Sequence, residues 1–392
     1  MYDSDMHGLL QRNILSDVMK RLQTNPAVAL LGARQVGKST LAEMVIETFP
    51  DALYLDLERP SDLNKLSDAE GFFQQFQDQM ICLDEIQRMP ELFAILRSVI
   101  DRNKRNAQFL LLGSASRELI RQSSESLAGR IAYLEVTPFT RTETGTFAIN
   151  RLWLQGGYPR SLLSADNESS FQWREDYIRT FLERDIPQLG FHIPANTLGR
   201  FWRMLAHSHA QTLNASRLAD SMGVSANTIR KYIDLLEQTF VVRALQPWSG
   251  NTKKRLVKAP KVYIRDSGLL HALQGIESMQ QLFAHPVYGA SYEGFMIENL
   301  LTALPRWQAS YYRTSNGAEV DLVLEKAGKT IAIEIKASTS PKMSKGNWSA
   351  FDSLQADACY VVAPVDSTYP LNDKVKVLNL DAAIDVISQV SP

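Results

Sequence analysis

From Gly32 to Thr40 the chain reads Gly-Ala-Arg-Gln-Val-Gly-Lys-Ser-Thr. Glycines at that spacing let successive backbone N–H groups turn inward around an anion, and a helix starting at the lysine adds a favourable dipole. The pattern is G-x-x-x-x-G-K-[ST], and it carries meaning when a strand precedes it and a helix follows. Both are expected here: the apolar run Ala27–Leu31 lies before it, and a helical pattern starts at Lys38. The chemistry implied is ATP binding, with Gly32, Ala33, Arg34, Gln35, Val36, Gly37, Lys38, Ser39 and Thr40 around the phosphates. Lys38 would neutralise the β- and γ-phosphates, and the Ser39 hydroxyl would ligate Mg²⁺.

A second group suits the same chemistry. Met80-Ile81-Cys82-Leu83 is an apolar strand that ends in Asp84-Glu85, and ligands bind at such carboxyl ends in open α/β sheets. Asp84 would hold Mg²⁺ through its water shell, and Glu85 would orient or deprotonate the attacking water. The strand Phe109–Leu112 ends in Gly113-Ser114-Ala115-Ser116. Ser114 or Ser116 would sense the γ-phosphate; a simple strand-ending turn is the alternative.

A third group lies near the other end. In Ala318–Leu324 alternation puts Glu319, Asp321 and Val323 on one strand face, and in Ile331–Lys336 it pairs Glu334 with Lys336. A hairpin around Lys326–Lys329 would bring Asp321, Glu334 and Lys336 together. Two carboxylates would hold Mg²⁺ and the lysine would activate water, with Glu298 on the preceding helix adding a carboxylate. The competing reading is a set of cross-strand ion pairs on a solvated sheet face.

Between these groups, Ser216–Gly223 and Val224–Phe240 read as helix, tight turn, helix. Ser225, Asn227, Thr228, Arg230 and Lys231 mark the exposed start of the second helix. Beyond it lie Lys253, Lys254, Arg255, Lys258, Lys261 and Arg265, with no acidic residue among them. Such residues suit a recognition helix and a wing on DNA phosphates. Packing against another domain or a protein partner is the alternative.

The elements that must position these groups follow from the pattern. Strands at Ala27–Leu31, Leu53–Leu57, Met80–Leu83, Phe109–Leu112 and Ile131–Val136, with helices between most of them, predict a parallel α/β sheet over residues 1–150. Residues 151–285 read as a helical lid and a winged-helix-like segment, and residues 286–392 as a second α/β domain. The chain has 392 residues, 45% hydrophobic and 22% charged, with a formal net charge of −1. That balance excludes a global pull towards nucleic acid, so any such contact rests on a local basic surface. No apolar run suffices for a membrane span. Two cysteines far apart, Cys82 and Cys359, read as buried thiols of a cytoplasmic protein.

Several short segments carry a resemblance. Gly32–Thr40, Leu83-Asp84-Glu85-Ile86-Gln87, Leu112-Gly113-Ser114 and Leu127-Ala128-Gly129-Arg130 resemble the AAA-type ATPases of a large prokaryotic family with a C-terminal nuclease-like domain of unknown function. The likeness continues through Gly157-Tyr158-Pro159, Arg184-Asp185, Lys261-Val262-Tyr263 and Asp266-Ser267-Gly268-Leu269. It implies a homo-oligomer in which one subunit's arginine completes the neighbour's ATP site. Arg130 is the first candidate, and Arg117 and Arg121 are rivals. Helix Glu298, strand Asp321, then Glu334-x-Lys336 resemble the PD-(D/E)xK phosphodiesterase core, although no proline precedes Asp321. The expectation is an Mg²⁺-dependent ATPase that remodels DNA through Arg230, Lys231, Lys253, Lys254 and Arg255. The alternatives are a regulatory switch acting on protein partners and an ATP-gated nuclease.

Overall fold

The computed structural model describes residues 10–114, 127–145, 147–250 and 254–390. The chain divides into two compact units, Met1–Phe139 with Gln238–Phe240, and Thr140–Glu237 with Val241–Pro392.

In the first unit, apolar runs too short for helices become the strands β1 (Ala27–Leu31), β2 (Leu53–Asp56), β3 (Ile81–Asp84), β4 (Phe109–Gly113) and β5 (Ile131–Glu135). They form one parallel sheet in the order β2-β3-β4-β1-β5. Every residue of β1, β3 and β4 is buried, as continuous apolar runs in a parallel sheet require. The helix Leu92–Asn103 packs Leu92, Phe93, Leu96, Val99 and Ile100 onto it, at the spacing of one helix face. Because β4 lies between β1 and β3, the Gly32–Ser39 loop, the end of β3 and Ser114 emerge side by side at the carboxyl edge. The first helix spans Ile14–Thr24.

The second unit contains two sheets. Helix Ala195–His207, β6 (Gln211–Thr212), helix Ala215–Met222, helix Ala226–Gln238, β7 (Val242–Leu245) and β8 (Lys261–Ile264) follow in order, with sheet order β6-β8-β7. Gly223 closes the first of the paired helices in the left-handed conformation (φ 70°), which glycine adopts without a Cβ penalty. The helix Tyr288–Ala303 then precedes a six-stranded sheet, β13-β14-β12-β11-β10-β9. Its strands are β9 (Gln308–Arg313), β10 (Glu319–Lys326), β11 (Lys329–Ile335), β12 (Ala358–Val362), β13 (Tyr369–Pro370) and β14 (Val375–Leu378). Strands β10 and β11 form the anticipated hairpin, pairing Lys326 with Lys329.

One expectation about β10 fails. Register shifts between Val320 and Val323 where β10 pairs with β9, and both valines enter the same apolar cluster. A bulge interrupts the two-residue period and re-aims a side chain, so Val323 does not share a face with Glu319 and Asp321.

Two glycine motifs of the second unit meet. Helix Ser267–Leu273 lies so close to helix Ile149–Gln155 that a Cβ on Gly268 would sit 2.2 Å from the Gln155 carbonyl oxygen. Asp266 accepts hydrogen bonds from Gly157 N–H at 2.8 Å and Leu269 N–H at 2.9 Å. Among the described residues, no helix is long and apolar enough to cross a membrane.

Candidate functional site

The loop after β1 is shaped by its glycines. A Cβ on Gly32 would lie 2.2 Å from the Val136 carbonyl oxygen, and Gly37 has φ 94°. Neither position accepts a larger residue without moving backbone. From Gly37 the helix Lys38–Ile46 begins, so its first N–H groups and positive dipole end face the loop. The buried Lys38 ammonium donates to the carbonyls of Gly32 (3.0 Å) and Ala33 (2.8 Å).

Ser39 donates its hydroxyl to Asp84 Oδ2 at 2.8 Å, joining the loop to the end of β3. The Tyr54 phenol also donates to Asp84 Oδ2, and burial together with Asp84 pushes its pKa up. The hydroxyl and carboxylate expected to hold Mg²⁺ are therefore in contact with each other. Glu85 follows with φ 56°, a costly conformation for a residue with a Cβ. Its carboxylate accepts from Gln87 and from Ser114 Oγ (3.2 Å), and Arg34 stands 3.8 Å away. Gln87 also donates to Ser114 at 3.1 Å. Ser114 thus bridges two strand ends by touching Glu85; Ser116 lies outside the described residues.

Sequence reasoning missed Arg12. Its guanidinium donates to the carbonyls of Val36 (2.9 Å) and Thr137 (2.6 Å) and lies 4.6 Å from the Phe139 ring centre. It ties the phosphate loop to the segment beyond β5. No local pattern marks it, because its partners are backbone oxygens up to 125 residues away.

The acidic group of the second unit is arranged differently from the expectation. Asp321 Oδ2 accepts from the Ile335 N–H at 3.0 Å, and Oδ1 lies 3.2 Å from Lys261 Nζ. Glu334 accepts from Lys336 (2.6 Å) and from Asn347 of the helix Lys345–Leu354 (2.7 Å). The helix carboxylate of this group is Glu293, not Glu298. Glu293 accepts from Lys261 (3.0 Å) and Tyr263 (2.6 Å). Glu298 is clamped instead by Arg243 (2.8 Å) and Arg265 (3.0 Å). The physical reason is helical: five residues rotate a side chain by about 140°, so the two glutamates leave the helix on different faces. Nine of the sixteen residues of that helix are buried, polar and apolar alike, so composition marked neither face.

The charges of this centre perturb one another. Burial and the neighbouring Asp321 raise Glu293 to about 7 and push Glu334 well above the usual carboxylate range. Burial alone would raise Glu298 too, but Arg243 and Arg265 pull it down to about 2. A lysine stands where a divalent ion was expected. Among the described residues, no group of three or more His, Cys, Asp or Glu is disposed to hold a metal. The expected Mg²⁺ set of Glu298, Asp321 and Glu334 is therefore not assembled.

Residues 24–145 match the family model of an AAA domain. Residues 146–280 and 288–383 match two domains of unknown function, DUF8612 and DUF4143. The uncharacterized protein Rv2008c of Mycobacterium tuberculosis is 42% identical over 371 residues, covering 95% of this chain and 84% of that protein. Mb2031c of Mycobacterium bovis aligns with the same figures. The chain belongs to the family of these two mycobacterial proteins. An uncharacterized Haemophilus influenzae protein is 21% identical over 83% of this chain and 86% of its own length. Among solved structures, a Walker-type ATPase of Pyrococcus abyssi covers 68% of this chain and 96% of its own, at 14% identity and TM-score 0.49.

In this family member the AAA domain supplies a P-loop NTPase fold, and Lys38, Ser39, Asp84, Glu85 and Ser114 meet at its sheet edge. Arg130 does not join them. Its carbonyl accepts from Ala27 N–H at the start of β1, the opposite end of the strand from the phosphate loop. Its guanidinium pairs with both oxygens of Asp101 (2.6 and 3.0 Å). Arg117 and Arg121 lie outside the described residues, as does Lys253.

The basic residues of the second unit divide into two sets. Arg230 and Lys231, with Asn227, are exposed on the helix Ala226–Gln238. The segment after β7 is bound along the edge strand β9 instead. Trp248 N–H donates to Tyr311 O (2.7 Å), and Val257 N–H to Arg313 O (2.9 Å). Lys254 Nζ reaches Ser349 at 3.2 Å and Ser353. The Arg255 side chain is exposed while its carbonyl accepts from Ser315 N–H. The expected free wing is thus a strap that covers an otherwise open sheet edge.

Proposed function

We propose that the chain is an Mg²⁺-dependent ATP hydrolase that couples nucleotide state to DNA through its second unit. The observation that carries the hydrolase reading is the Ser39–Asp84 contact at 2.8 Å beside Glu85. Ser39 and Asp84 would hold the ion, Lys38 and the loop N–H groups from Ala33 to Thr40 would hold the phosphates, and Glu85 would align water. Ser114 and Gln87 keep that carboxylate in place. Completion by a second copy through Arg130 is part of the proposal, and it requires the Arg130–Asp101 pair to open.

The DNA reading is supported by the winged-helix-like order of helices and strands around β6, β7 and β8. Its contacts would be Arg230, Lys231 and the polar start of their helix. The order helix, β9, β10, β11, helix, β12 supports a PD-(D/E)xK-like fold for the C-terminal part.

The test is direct. Lys38→Ala should abolish ATP turnover. Duplex or branched DNA should stimulate turnover and bind with a salt slope that Arg230→Ala with Lys231→Ala lowers by about 2. Absence of salt-sensitive binding and of stimulation defeats the DNA reading and leaves the hydrolase reading intact. A second reading, a switch acting on a protein partner, is favoured by the strap: Lys254 is tied to Ser349 and Ser353, and Lys336 is paired with Glu334. Nucleotide-dependent capture of a protein partner that is indifferent to Arg230 and Lys231 supports that reading.

A further inference from the structure

We propose that Lys261 is the resident cation of the C-terminal acidic centre and keeps that centre closed to divalent metal. Lys261 comes from β8, a strand of the small three-stranded sheet, yet its ammonium lies within the group formed by the helix Tyr288–Ala303 and β10. Its Nζ stands 2.5 Å from Glu319, 3.0 Å from Glu293 and 3.2 Å from Asp321. The side chain is 2% exposed, and the Tyr311 ring closes it off at 5.6 Å.

Most of the remaining carboxylate oxygens are occupied as well, Glu334 Oε2 being buried without a hydrogen-bond partner. Tyr263, from the same strand, donates to Glu293. Arg313 holds Glu319 at 3.0 Å. The Ile335 N–H holds the second oxygen of Asp321, and Lys336 with Asn347 holds Glu334 Oε1. Four carboxylates therefore face Lys261, Lys336 and Arg313, three cations. Burial and the neighbouring Asp321 raise the proton affinity of both Glu293 and Glu334.

Mg²⁺ needs about six oxygen ligands near 2.1 Å and keeps several waters. A buried ammonium between the same carboxylates leaves neither the volume nor the charge for it. Metal enters this centre only when β8 withdraws Lys261 or when the ammonium is removed by substitution. The centre is thus a carboxylate cage locked by a lysine.

Mn²⁺ titration followed by electron paramagnetic resonance, on the full chain without nucleotide, tests this. Wild type and Asp321→Asn should give the same isotherm, because no Mn²⁺ depends on Asp321. Lys261→Met, which keeps the apolar stem, should gain one site of sub-millimolar affinity, at least tenfold tighter than any Asp321-dependent binding in wild type. Adding Asp321→Asn to that variant should remove the site. Wild-type binding of one Mn²⁺ that Asp321→Asn abolishes overturns the proposal, and so does a folded Lys261→Met that gains no site. If circular dichroism shows Lys261→Met to be unfolded, the comparison of wild type with Asp321→Asn decides alone. ATP turnover, lost only with Lys38→Ala, reports the hydrolase reading independently.

Discussion

Replacing Glu298 with glutamine separates a structural carboxylate from a metal-binding one. In the fold its two oxygens receive Arg243 and Arg265, which overcome burial and hold its pKa at about 2 instead of 4.5. A shift of that size, at about 1.4 kcal/mol per unit, corresponds to roughly 3 kcal/mol of stability at neutral pH. Removing one member of a buried ion pair costs 3–5 kcal/mol by a separate route, since the remaining guanidiniums lose their counter-charge. Both arguments give a loss of about 3 kcal/mol for Glu298→Gln. The sign with pH follows from the depressed value: the contribution is complete above about pH 4.5 and disappears as pH falls towards 2. Urea unfolding of wild type and variant at pH 7.5 and pH 4 measures it, and the gap between the two proteins should narrow at the lower pH. ATP turnover below the unfolding transition should be unchanged, because Lys38, Ser39, Asp84 and Glu85 belong to the other unit. Unaltered stability, or a change confined to metal binding, would refute the ion-pair account and restore Glu298 as a candidate ligand.

Three further outcomes follow from the geometry. Glu85→Gln should retain nucleotide binding while kcat falls by about 10²–10⁴, the usual contribution of a positioned base; stopped turnover with normal binding of a fluorescent nucleotide checks it. Gly32→Ala places a methyl group 2.2 Å from the Val136 carbonyl oxygen, so the loop must shift at a cost of about 1–3 kcal/mol. Nucleotide affinity, read by calorimetry, should then weaken by about tenfold or more. His271 is fully buried between the Leu154 carbonyl and Ser291, and burial holds it down to about 3. Wild type should therefore lose stability relative to His271→Gln as pH falls below 6.5, by about 1.4 kcal/mol per pH unit. A pH-independent difference in unfolding free energy would show that the imidazole is charged or solvated.

Much of the nucleotide site was legible because its information is local. Gly32, Gly37, Lys38 and Ser39 are neighbours in sequence, and a strand ending in Asp84-Glu85 announces its own carboxyl edge. The order of the strands was not local. Placing β4 between β1 and β3 is what brings Ser114 against Glu85. Arg12 was invisible for the same reason, since it acts on carbonyls distant in sequence.

The acidic centre shows where sequence and tertiary structure part. The sequence by itself determined the hairpin at Lys326–Lys329 and the Glu334–Lys336 pair, because two-residue alternation places side chains without reference to the rest of the chain. It also carried an unread signal, a lysine alternating with a tyrosine in the otherwise apolar run Lys261–Ile264. Only the tertiary structure decided that Glu293 rather than Glu298 turns towards Asp321, and that a strand from another sheet delivers Lys261 between them. Both outcomes depend on how the largely buried helix Tyr288–Ala303 rotates against its neighbours. That rotation is set by packing over the whole unit, and no segment of the sequence encodes it alone.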